Sequence, residues 1–226
     1  MITAPAHVCQ GKPLFSRMFS CYNGKKLREG ISFMNICVFG ASSDAIDPAY
    51  FAAAEALGAC IARGGHRLIF GGGREGLMGA CARGLLREGG TAIGIAPRFF
   101  DEPGILMKEE CDFLFTETMS ERKKLMEDMS DAFIALPGGI GTYEEFFEPL
   151  TLKQLGQHCK PMVMLNTLGY FDPFVALLQT TAEKRFMSAE ILGLFSVCAE
   201  PEAALQALLA DAARPAATRN LADYSR

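Results

Sequence analysis

From Met34 onward, short runs of aliphatic, β-branched and aromatic residues alternate with longer stretches in which apolar positions recur at helical spacing. The runs at 35–39, 67–70, 91–96, 113–116, 132–136, 162–165 and about 194–197 read as strands. Between the first two, Phe51, Ala54, Leu57 and Ile61 keep helical spacing behind Asp47 and Pro48, a capping carboxylate followed by a helix-starting proline. Gly64 and Gly65 then supply the left-handed stop. Further helices are predicted over 77–86, about 120–129, from near Thr142, over 171–182 and over 201–210.

Parallel strands cannot be joined by tight hairpins, so strands that alternate with helices imply crossover connections of one hand. The pattern predicts an α/β fold with a single doubly wound, mostly parallel sheet of Rossmann-like type over residues 34–212. Residues 1–33 lack either periodicity and mix Gly, Pro, Ser and basic side chains, so they read as a loose N-terminal extension, or as sequence ahead of a start at Met34. The Ala-rich stretch 213–226 reads as a C-terminal tail.

Composition narrows the function. The chain has 226 residues, half of them hydrophobic, and a formal charge of -4, which gives no electrostatic ground for binding a nucleic-acid backbone. An anionic ligand must therefore be held locally. Eight cysteines are scattered singly without zinc or redox spacing, which fits small core residues in a reducing cytoplasm. The three histidines are far apart, so no metal is expected, and no apolar run suggests a membrane span or an export signal.

Ligands of open α/β sheets sit beyond the carboxyl ends of the strands. Three turns there stand out: Gly40 to Ser43, including Ser42; Gly71-Gly72-Gly73; and Pro137-Gly138-Gly139-Ile140-Gly141-Thr142. In the third, glycines let the backbone come close to a ligand and a helix start aims free N–H groups at it, which suits a phosphate. Thr142 offers a hydroxyl donor. Gly72 and Gly73 are candidates for phosphate or ribose contact, but residues 40–66 lack the dinucleotide fingerprint, so NAD is disfavoured. Glu144 and Glu145 open the helix behind the third turn, and Arg122 and Lys123 lie on the helix before the strand that feeds it. A cation and an anion are thereby brought toward one crevice.

The run Arg122-Lys123, followed by Ser130 to Leu136 and Pro137-Gly138-Gly139-Ile140-Gly141-Thr142-Tyr143-Glu144-Glu145, resembles the LONELY GUY (LOG) family, as does Gly71 to Gly79. The resemblance covers roughly 34–210. It implies a phosphoribohydrolase that splits the N-glycosidic bond of a nucleoside 5′-monophosphate (a cytokinin riboside 5′-monophosphate, AMP, or both) into free base and ribose 5-phosphate. It also implies a dimer and no cofactor. Carried over by motif, Arg122 and Glu145 match the catalytic positions, and Lys123, Gly139 to Glu144 and Thr151 match nucleotide-binding positions. A nearby carboxylate suits the chemistry, because breaking a ribosyl C–N bond builds positive charge on the sugar. Arg122 would anchor phosphate or ribose and hold Glu145 in its charged form.

The same superfamily includes nucleotide sensors and a molybdenum-cofactor carrier, so a non-catalytic binding module is the alternative. A phosphotransferase would need a Walker lysine and metal carboxylates, which the sequence lacks. A pyridoxal-dependent decarboxylase would need a Schiff-base lysine that the motifs do not supply. The segment Arg98 to Gly104 departs from the family's pattern, which leaves the preferred base open.

Overall fold

Alternation within the strands decides the layers. In the computed structural model, which describes residues 33–213, the first strand β1 (Asn35–Phe39) sends Ile36 and Val38 into one core and Cys37 and Phe39 into another. The fifth, β5 (Ala132–Ala135), does the same with Ala132 and Ile134 against Phe133 and Ala135. A period of two on a strand buried from both sides feeds two cores, and each must be covered by helices.

Those helices are α1 (Pro48–Arg63), α2 (Gly76–Arg87), α3 (Met119–Met129), α4 (Ile140–Gln154), α5 (Asp172–Glu183) and α6 (Pro201–Ala212). Buried side chains of α1, α2 and α6 fill the first core, and those of α3, α4 and α5 fill the second. With β2 (Arg67–Phe70), β3 (Thr91–Pro97), β4 (Asp112–Thr116), β6 (Met162–Leu165) and β7 (Ser196–Cys198), the strands pair in the order β4-β3-β2-β1-β5-β6-β7. Every pairing is parallel, so the sheet is fully rather than mostly parallel.

Helix boundaries follow local chemistry. The Asp47 carboxylate accepts from Ala49 N at 2.8 Å ahead of Pro48, which starts α1 as the sequence predicts. Thr118 Oγ1 caps α3 by accepting from Glu121 N, while Glu121 reaches back to Glu117 N, one residue ahead of the cap. The fourth helix begins at Ile140, two residues earlier than the pattern suggests, with Gly139 at its cap. Short 3₁₀ turns at Arg98–Phe100, Thr167–Gly169 and Ala189–Gly193 were not legible in the periodicity. The extension expected at 1–33, save Phe33, and the tail expected at 213–226, save Ala213, lie outside the described residues. Among the described residues no helix is long and apolar enough to cross a membrane.

Sheet order reverses at β1. The chain moves outward through β2, β3 and β4, then returns to the other side of β1 with β5. The crevice between the turns after β1 and β5 is the switch point at which open α/β sheets receive ligands.

Candidate active site

The turn after β5 is tied to the turn after β1, which is itself tied to α2. Ala41 N, in the turn after β1, donates to Pro137 O at 3.0 Å, and Ala41 O accepts from Leu77 N at the start of α2. Gly138 is buried, whereas Gly139, Ile140 and Gly141 are exposed, Ile140 to 86%. A methyl group on Gly138 would come within 2.1 Å of Thr142 Oγ1, so only glycine lets the turn close over the helix start. Thr142 itself is buried beneath the turn, so it packs inside the loop as well as standing at the helix N-terminus.

Arg122 and Glu145 meet as the sequence anticipated. Arg122 Nη1 donates to Glu145 Oε1 at 2.5 Å, with side-chain exposures of 6% and 9%. Arg122 Nε donates to Ile95 O near the carboxyl end of β3 at 3.0 Å. The guanidinium therefore bridges β3 to α4 and is held in one orientation. Glu145 Oε2 takes no hydrogen bond from the described residues. Lys123 forms an outer pair of contacts, to Glu144 at 2.6 Å and Glu148 at 3.0 Å, one turn apart on α4. These carboxylates raise the pKa of Lys123, Glu144 most, and keep it charged.

A small cavity beside the pair is lined by Phe39, Phe133, Glu127 and Pro149 together with Lys123 and Glu145. Phe39 and Phe133 stack at 6.0 Å, giving Glu145 an apolar floor. Beneath it, burial pushes the Cys37 thiol well up, with the Glu145 charge adding to the effect, so Cys37 is a packed thiol.

The glycine run after β2 reaches this site through Gly71, which the sequence placed in the turn without singling it out as a contact. A methyl on Gly71 would lie 2.3 Å from Arg122 Nη2, so Gly71 makes room for the guanidinium. Gly72 and Gly73 instead hold the segment that follows β3. Gly72 O accepts from Met107 N, and Gly73 bridges to Leu106. Gly72 has φ +76° and a methyl there would strike Phe113 at 2.2 Å, so its glycine serves the backbone first. Ser42 is exposed in the turn after β1. Thr151 is exposed on α4, about 10 Å along the axis from Glu144 at ~1.5 Å per residue. Of the residues singled out in the sequence, the structure gathers Arg122, Lys123, Gly138 to Thr142, Glu144 and Glu145, with Thr151 one turn beyond Glu148 on the same helix.

Fold and site together define a Rossmann-like α/β protein with an open helix start at the switch point and a buried Arg–Glu pair beside it. A family model described as "Possible lysine decarboxylase" matches residues 78–208. A protein of Rhodococcoides fascians named cytokinin riboside 5′-monophosphate phosphoribohydrolase is 41% identical over 156 residues, spanning 69% of this chain and 79% of that one. A protein of the same name from Mycobacterium tuberculosis is 40% identical over 135 residues, 60% of this chain and 72% of that one. The chain belongs to this family, the LOG family signalled by its motifs.

Among solved structures, the molybdenum cofactor carrier protein of Chlamydomonas reinhardtii superposes with a TM-score of 0.60 at 27% identity, covering 79% of this chain and 99% of that one. The molybdenum cofactor binding protein of Rippkaea orientalis gives 0.59 at 22% identity, over 78% and 96%, a likeness of fold. The family model's description would imply pyridoxal phosphate. Its fit is poor, because Lys123, the lysine adjoining the site, is committed to Glu144 and Glu148.

Proposed function

We propose that the protein hydrolyses the N-glycosidic bond of a nucleoside 5′-monophosphate, releasing the free base and ribose 5-phosphate. The observation that carries this reading is the buried Arg122–Glu145 pair beside an open helix N-terminus, in a chain 41% identical to a phosphoribohydrolase. The N–H groups at the start of α4 and the helix dipole receive the phosphate. The Glu145 carboxylate faces the sugar and stabilises positive charge as the C1′–N bond lengthens. Water supplies its oxygen to C1′, the bonding pair leaves with the base, and the proton from water passes to the departing base. Arg122 holds Glu145 in place through Nη1 while its Nε stays on the sheet.

The test is release of adenine or isopentenyladenine from the matching monophosphates by purified protein, with Glu145→Gln and Arg122→Ala inactive. Full activity in either variant would remove the catalytic assignment. Comparing kcat/KM for the two monophosphates side by side settles the preferred base. The second reading, a non-catalytic nucleotide or molybdenum-cofactor carrier, draws on the likeness to the Chlamydomonas protein and predicts ligand retained without turnover. We assign a homodimer as the working form, supported by exposed Phe147 and Leu177 on α4 and α5, and a cytoplasmic site, supported by the free thiols of the described cysteines. Light scattering on the purified protein tests the dimer.

A further inference from the structure

The two peptide units that form the glycine turn are oriented by different anchors. Every described peptide bond is trans, so each N–H points opposite the C=O of its own unit. The carbonyl of Pro137 is tied to Ala41 N, a backbone anchor that no side-chain change removes. The carbonyl of Gly138 accepts from Tyr170 Oη at 2.6 Å, an anchor made by a single hydroxyl. Tyr143 Oη lies 3.2 Å from Tyr170 Oη. Because the one proton of Tyr170 goes to Gly138 O, Tyr143 is the donor in that pair, and the three groups form a chain running Tyr143, Tyr170, Gly138.

From this arrangement we infer that Tyr170, backed by Tyr143, is a positioning residue that fixes the Gly138–Gly139 peptide with its N–H toward the phosphate site and its carbonyl away from it. The inference rests on the phosphate-binding role proposed above for this turn. The N–H groups of Gly138 and Gly139 have no partner among the described residues, as a nest awaiting an anion requires. A peptide flanked by glycines rotates with little steric resistance, and a flip would present a carbonyl oxygen to the anion. The hydroxyl of Tyr170 opposes that flip. Its ring is held edge-on against Tyr50 and Phe171, at centroid distances of 6.1 and 5.1 Å, so the hydroxyl is aimed by packing. Burial raises the phenol pKa to about 12, so the donor keeps its proton at any working pH.

Tyr170→Phe keeps the ring and removes one oxygen atom. Losing one hydrogen bond that orients the turn is expected to weaken AMP and ribose 5-phosphate about 2- to 12-fold, from the usual net worth of such a bond. Binding of adenosine and kcat at saturating AMP should hold within twofold, so the loss falls on KM. Tyr143→Phe, which removes only the outer donor, should give a smaller loss in the same direction. The Gly139 amide resonance of the free protein should move in Tyr170→Phe while the rest of the spectrum is kept.

Unchanged affinity for ribose 5-phosphate in Tyr170→Phe overturns the inference, as does an equal loss for adenosine and AMP. Wild-type protein that binds ribose 5-phosphate without cleaving AMP would remove the hydrolase reading and leave the tyrosine brace standing. Wild-type protein that binds neither phosphate ligand would overturn both.

Discussion

Replacing Arg122 and Glu145 singly and together separates what the pair does for the fold from what it does for chemistry. Their contact is 2.5 Å long with both side chains at least nine-tenths buried. Removing one partner strands a charge in a poorly solvated place, at a cost of about 3–5 kcal/mol. A domain of this size loses about 2–4 °C of Tm per kcal/mol, so Arg122→Ala should melt roughly 6–20 °C below wild type. The double variant Arg122→Met, Glu145→Leu removes both charges and fills their volume. It leaves only Ile95 O without its donor, a loss on the order of 1 kcal/mol, and should recover most of the stability. Thermal melts of the wild type, both singles and the double in one buffer, with base release from AMP measured on the same samples, make the comparison. A stable but inactive double variant is the expected result. Single variants melting within about 2 °C of wild type would refute the burial argument, since that shift corresponds to less than 1 kcal/mol. A double variant no more stable than the worse single would refute it equally.

Gly71→Ala places a methyl against a guanidinium tied at both ends, so kcat/KM should fall by about 10- to 100-fold through a displaced Arg122; wild-type kinetics in this variant would show that Arg122 has room to move. His158 is half-buried, and burial, aided by the Lys160 charge, lowers its pKa to about 4. The value is depressed in the folded state, so the folded protein resists taking up the proton. The contribution is complete above pH 6.5 and is lost as pH falls toward 4. Denaturant titrations of wild type and His158→Gln across that window should diverge, wild type losing more; parallel curves would reject the assignment. Burial pushes the thiols of Cys37 and Cys81 up, Cys81 to about 12, whereas Cys159 is exposed. Alkylation mapped by peptide mass should therefore mark Cys159 in the native protein and reach Cys37 and Cys81 only after unfolding.

The elements were legible where local rules are strong. Asp47 with Pro48, the apolar run at 132–136 and the glycine turn behind it each carry their signal within a few residues, so their placement came from sequence alone. Periodicity gave no warning of the 3₁₀ turn at Arg98–Phe100 or of the bridge between Gly73 and Leu106, because these depend on partners distant in sequence. The motif likewise named Arg122 and Glu145 and brought them toward one crevice, although their separation of 23 residues fixes no geometry between them. Only the crossing from β4 back to β5 lays α3 beside α4 and closes the ion pair.

Tertiary structure also reassigned the glycines. Three in a row after β2 look equivalent in the sequence, but Gly71 faces Arg122 while Gly72 and Gly73 hold the segment after β3. Tyr170 had no signal at all, since it stands 32 residues beyond Gly138 and is joined to it only because β6 lies beside β5. What the sequence determined by itself was the parallel α/β architecture and the residue types of the site, because helix caps, strand alternation and glycine turns are local physics. What only the tertiary structure decided was which of those residues touch, because burial and sheet order are properties of the whole chain.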